Sequence, residues 1–148
     1  MLNRRNPPDP SGPPVLDKGF LARLARHIGW DSVYELAADG LLELSDRLRQ
    51  IEDFVAAEDR EAVLRVEHDI AAVAGHIGLS ALSLAAAGAN REGRRDTARS
   101  ARALAQPVLD LGPGSLAALR DLLDGEPPAS AGPGAGDQGG LGTRPLPD

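Results

Sequence analysis

The stretch that decides the fold is REAVLRVEHDIAAVAGHI, residues 60–77. Advanced by about 100° per residue, as in an α-helix, it places Val63, Val66, Ile70, Val73, Ala74 and Ile77 in one arc roughly 100° wide. That arc is a core-facing stripe. His68 falls about 160° or more from its middle. Leu64, Ala71, Ala72 and Gly75 stand three, four and seven residues away, the positions that adjoin His68 on a helix surface. The pattern presents a polar, nucleophilic ring to solvent on a platform of mostly small side chains, where another protein surface can approach.

Working outward toward the N-terminus, Glu58-Asp59 reads as a tight acidic turn, with Asp59 capping the helix that carries His68. Before it, Val33, Ala37, Leu41, Leu44, Leu48, Ile51 and Val55 recur at spacings of four and three. That seam predicts a long helix over residues 32–57, capped by Asp31. A connection this short makes the two helices an antiparallel pair. Asp17 caps a first helix over 18–28, with Leu21, Leu24 and Ile28 on one side and Gly29 past its end. Toward the C-terminus, Gly78 ends the His68 helix and Ser80 caps a fourth, over 81–88. Residues 90–96, with Arg-Glu-Gly-Arg-Arg in their middle, read as a loop. A fifth helix is expected over 97–111, bent or broken near Pro107. Gly112-Pro113-Gly114 then stops it, and Ser115 caps a last short helix over 116–123.

Composition supports an all-α class. Over residues 15–124 Leu, Ala, Arg and Asp are the commonest residues, aromatic residues make up 3% of the whole chain, and no strict apolar alternation marks a strand. The expected architecture is an antiparallel four-helix bundle with an extra N-terminal helix. Residues 15–124 form the foldable domain. Residues 1–14 are rich in proline and residues 125–148 in glycine and proline, so both are expected as disordered tails.

Several functions are disfavoured by what the chain lacks. It has no cysteine, hence no disulfide or thiolate metal site. Its three histidines show no zinc spacing. Apolar runs fall short of a membrane span, and Arg4 and Arg5 precede no signal-peptide core. The net charge of −6 argues against general nucleic-acid binding. A cytoplasmic monomer that binds neither nucleic acid nor membrane is the expectation. The arginine cluster of Arg91, Arg94, Arg95, Arg99 and Arg102 reads as a solvated loop and helix face. His76 reads as a hydrogen-bonded packing residue, and His27 as a favourable charge on the first helix's C-terminal dipole.

With these residues in place, the run 44–78 resembles the core hairpin of histidine-containing phosphotransfer (HPt) domains, which carry phosphate between receiver domains in bacterial two-component phosphorelays. The family signature starts at the phosphorylated histidine. An apolar residue follows two on, then Lys and Gly, an Ala six on, a Gly ten on and a Leu fourteen on. This chain has His68, Ile70, Ala74, Gly78 and Leu82 at those places. Ala71 stands where the family usually has Lys, and Ala72 where it usually has Gly. The similarity covers about residues 16–87, including the Gly29-Trp30-Asp31 break.

The resemblance implies a phosphocarrier rather than a conventional enzyme, with His68 as the phosphorylated residue. Its partners would be a response-regulator receiver domain, a hybrid sensor histidine kinase, or both. No cofactor is implied on this chain, and Mg2+ is expected on the partner receiver. Leu64, Arg65, Ala71, Ala72 and Gly75 are the candidate partner-binding residues, with Arg65 as a substitute cation for the missing lysine. A second reading, kept open by Ala71 and Ala72, is a non-catalytic HPt-like regulator that binds and inhibits or sequesters a receiver or kinase. The pair His68-Asp69 is also similar to the dimerisation domain of sensor kinases, but Ala71-Ala72-Val73 replace the polar residue and proline expected there.

Overall fold

A computed structural model describes residues 12–127 of the chain. Within them the chain is all-helical: α1 (Lys18–Ile28), α2 (Trp30–Ala56), α3 (Arg60–His76), α4 (Ser80–Arg95) and α5 (Ala101–Asp124). The expected tails 1–14 and 125–148 lie largely outside the described residues. The described part of the first is tied down, because the Pro14 carbonyl accepts a hydrogen bond from the Ala81 N–H at 2.9 Å.

Helix α3 is the centre of the molecule and packs against α2, α4 and α5. Gly40 of α2 faces Ile77, and Arg47 of α2 pairs with Asp69, so the register of α2 descends as that of α3 ascends. Ser83 and Asn90 of α4 bond to the carbonyls of Ala71 and Leu64, which makes α3 and α4 antiparallel as well. Helix α5 closes the core from the other side, lying on α2 and α4. Leu44, Ile51, Val63, Ile70, Leu82, Leu104 and Leu119 meet in the interior and are inaccessible to solvent. At about 1.5–3 kcal/mol for each large aliphatic side chain removed from water, this layer is the principal source of stability.

The caps explain the hairpin ends. Asp17 accepts from the Phe20 N–H and Asp59 from the Ala62 N–H, as their sequence positions require. Helix α2 ends in a left-handed residue, Glu58 at φ 56°, and the Asp59 N–H bonds back to the Phe54 carbonyl. Helix α3 ends the same way through Gly78 at φ 82°, with the Leu79 N–H on the Ala74 carbonyl. The Gly78 carbonyl also accepts the Asp17 N–H at 2.8 Å, which joins the start of α1 to the α3–α4 turn.

Several boundaries differ from those expected, among them the start of α5, which lies at Ala101 with Ser100 as its cap and not at residue 97. Helix α2 starts at Trp30 straight after Gly29, so Asp31 sits in its first turn instead of capping it. Leu79, not Ser80, precedes α4, and no side chain caps that end. Helix α4 continues through residues 90–95, because Ala89 and Gly93 are buried against neighbouring helices and Arg60 holds its C-terminus. Helix α5 is continuous across Pro107 and Gly112-Pro113-Gly114. Both prolines stand on the exposed side of the helix, while Leu104, Val108, Ser115 and Leu119 bury on the other.

Candidate functional site

His68 is exposed on α3. It lines an open groove of about 540 Å³ together with Arg47, Gln50 and Phe54 of α2, Arg65, Val66 and Asp69 of α3, and Arg94 of α4. Three helices therefore contribute cations to the surface around one imidazole. Arg47 is held by carboxylates, with Glu43 at 3.3 Å and Asp69 at 3.5 Å.

Of the residues expected beside His68, Arg65, Ala72 and Gly75 are exposed. Ala71 is half-buried and packs on the core, and its carbonyl accepts the Ser83 hydroxyl at 2.8 Å. Leu64 corrects the sequence reading: it is 1% exposed and belongs to the core. The cause is the width of the α3 interface. Ala62, Leu64 and Glu67 are buried alongside the apolar stripe, so the covered arc spans roughly 200° instead of 100°. The extra sector faces α4, whose Gly93 backbone approaches the Leu64 side chain so closely that a Cβ there would lie 2.8 Å from it. The sequence signal for that approach is the run of small residues in α4, Ala85-Ala86-Ala87-Gly88-Ala89, with Gly93 beyond it.

Sequence reasoning also missed Glu67. Its side chain is fully buried, and neither carboxylate oxygen has a hydrogen-bond partner among the described residues. Leu64 and Ala71, which flank it on the helix surface, both bond through their carbonyls to α4, so Glu67 faces the stretch of α4 between Ser83 and Asn90. Burial pushes its carboxyl up to about 8. The protonated form is the one this apolar site accommodates.

His76, read as a packing residue, is exposed at the C-terminal end of α3. It lies on the solvent side of the same wide interface. His27 is in the last turn of α1, where its ring Nδ1–H donates to the Arg23 carbonyl at 3.0 Å. The arginine-rich segment is partly ion-paired: Arg95 meets Glu92, and Arg99 meets Glu92 and Asp96. Among the described residues no cluster of three potential metal ligands forms, and no helix is long and apolar enough to cross a membrane.

No family model, no curated protein and no solved structure matches the chain.

Proposed function

We propose that the protein is a histidine phosphotransfer protein, relaying a phosphoryl group between receiver-domain aspartates through His68. On this reading α2 to α5 are an antiparallel four-helix bundle of the HPt kind, and α1 is an added N-terminal helix. The observation that carries it is the exposed His68 ring in a groove lined by Arg47, Arg65 and Arg94.

Imidazole is largely neutral and nucleophilic near pH 7. A ring nitrogen attacks the phosphorus of a receiver's phospho-aspartate. The new P–N bond forms with the nitrogen lone pair, and the P–O bond breaks with its electrons leaving on the aspartate carboxylate. The other ring nitrogen keeps its proton. Transfer onward reverses these changes at a second receiver. Such a step needs in-line positioning and charge neutralisation more than covalent assistance. Mg2+ on the receiver supplies part of the neutralisation from the partner's side. Arg65, Ala72 and Gly75, with the half-buried Ala71, form the docking face around the ring, and Leu64 supports it from beneath.

The test is phosphate transfer from a panel of phosphorylated receiver domains to the wild-type chain and to His68→Ala. Acid-labile, base-stable label on the wild type alone is the expected result. Ala71 and Ala72, in the places of the family's Lys and Gly, favour the second reading, a regulator that sequesters a receiver or kinase. Binding retained by both proteins with label on neither would establish that reading and overturn the first.

A further inference from the structure

The groove around His68 carries a charge opposite to that of the whole molecule. Its lining holds three arginines and one carboxylate, Asp69, an excess of two positive charges (3 − 1), in a chain of net −6. Arg47 is spoken for by Glu43 and Asp69. Arg65 and Arg94 have no ion-pair partner among the described residues. They also come from different helices. Arg65 precedes His68 by three residues, one helical turn, on α3. Arg94 reaches the groove from α4.

Arg94 is oriented by a chain of polar contacts that begins next to His68. The carbonyl of Leu64, four residues before the histidine, accepts the Asn90 amide N–H at 2.7 Å. The Asn90 carbonyl oxygen in turn accepts the Arg94 Nε–H at 3.2 Å. This bond uses one of the five guanidinium donors and leaves the planar fork free. Two such forks, unpaired and lining one groove, offer the donors through which guanidinium binds a phosphoryl dianion by two parallel hydrogen bonds.

We infer that Arg65 and Arg94 are the phosphoryl-binding residues of this groove, holding the dianion on His68 from the α3 and α4 sides while Asn90 positions Arg94. The inference rests on the reading of His68 as the phosphorylated residue, and it places the cation supply three residues before the histidine and on the neighbouring helix. The charged groups that face the phosphoryl group are Arg65, Asp69, Arg47 and Arg94; Glu67 is buried on the α4-facing side.

The test uses the full chain with His27→Gln and His76→Gln, which leaves His68 as the sole histidine of the three. Phosphoramidate phosphorylates its ring: the donor's P–N bond breaks, ammonia leaves, and a P–N bond to the imidazole forms. The ³¹P resonance is then followed against pH in this protein and with Arg65→Gln/Arg94→Gln added. Nearby cations favour the dianion and disfavour protonation of the phosphorylated ring, so their removal is expected to raise the pKa seen in this titration by about half a unit or more. Arg91→Gln, on α4 but outside the groove, is expected to leave it in place. Coincident titrations with and without the two arginines, or no label on His68, would overturn the inference. If the double variant impairs receiver binding while the titration stays put, the arginines contact an acidic partner surface instead, and the inference again fails. A shifted titration with no transfer from any receiver would defeat the relay reading and leave the phosphoryl site standing.

Discussion

The side chains of Glu67 and His68 leave α3 into opposite environments, a fully buried carboxyl with no hydrogen-bond partner among the described residues and an exposed imidazole. The first constrains stability. In the folded chain Glu67 keeps its proton up to about pH 8, whereas in the unfolded chain it releases it near 4.5. Between these values the native state binds the extra proton, so this group's contribution to stability falls as pH rises, with a slope of up to about 1.4 kcal/mol per unit. Below the window there is no penalty, and above it the penalty is complete. Glu67→Gln keeps the shape and cannot ionise. Urea unfolding at pH 5 and pH 8.5 should show the variant gaining on the wild type at the higher pH. Parallel stability profiles would show that the carboxyl is accommodated in its charged form.

Arg60 fastens the end of α4 to the start of α3. Its Nη2 donates to the carbonyls of Gly93 at 2.6 Å and Asp96 at 2.8 Å, and its Nε donates to that of Arg99 at 2.8 Å. The Gly93 and Arg99 carbonyls would otherwise lack partners, while that of Asp96 also accepts the Arg99 N–H at 3.3 Å. Arg60→Ala should cost about 1–3 kcal/mol, in the range for hydrogen bonds to a charged donor, and speed amide exchange in the last turn of α4. Arg60→Lys should restore only part, since an ammonium cannot span three carbonyls as the guanidinium fork does. Unchanged exchange at residues 92–96 in Arg60→Ala would refute the assignment.

The same clamp explains why α4 was only half legible in the sequence. Residues 90–95 are charged and carry a glycine, which reads locally as a loop. What makes them helical is remote: Arg60 lies 33 residues before Gly93. Helix α5 is a similar case: Pro107 and Pro113 each remove a helical N–H and read locally as breaks, and that both stand on the exposed side of one continuous helix depends on how α5 packs. By contrast, α2 and the stripe of α3 are encoded in their own spacing, and Asp17 and Asp59 cap as their positions demand. The exposure of His68 followed from the period alone. The burial of Leu64 and Glu67 did not, because it depends on α4 lying close enough to cover a second sector of α3.

That closeness depends on Gly93. A Cβ there would stand 2.7 Å from a Leu104 methyl and 2.8 Å from a Leu64 methyl, and both leucines are 1% exposed. Gly93→Ala should therefore destabilise by about 1–3 kcal/mol, as overpacking of a filled core does. Gly114, inside α5, has open space around the same position. Gly114→Ala should stabilise by roughly 0.5–1 kcal/mol through helix propensity. Thermal unfolding of the two variants ought to move in opposite directions. A stabilising Gly93→Ala would mean that α3 and α4 are further apart than the glycine contact requires.

Access to His68 gives the sharpest functional prediction. Ala72 lies four residues past the histidine, exposed on the same face, and no core contact depends on it. Ala72→Trp should leave the unfolding midpoint within about 0.5 kcal/mol of wild type, as for other surface changes. A receiver must bring its active site against the ring, and a bulky indole at the next turn stands in the way. Transfer from a cognate phospho-receiver should fall at least about tenfold, equivalent to roughly 1.4 kcal/mol of lost transition-state stabilisation. Labelling by phosphoramidate, a donor too small to meet the obstruction, should change little. Loss of both reactions would place the indole against the imidazole itself, and loss of neither would move the docking face away from Ala72.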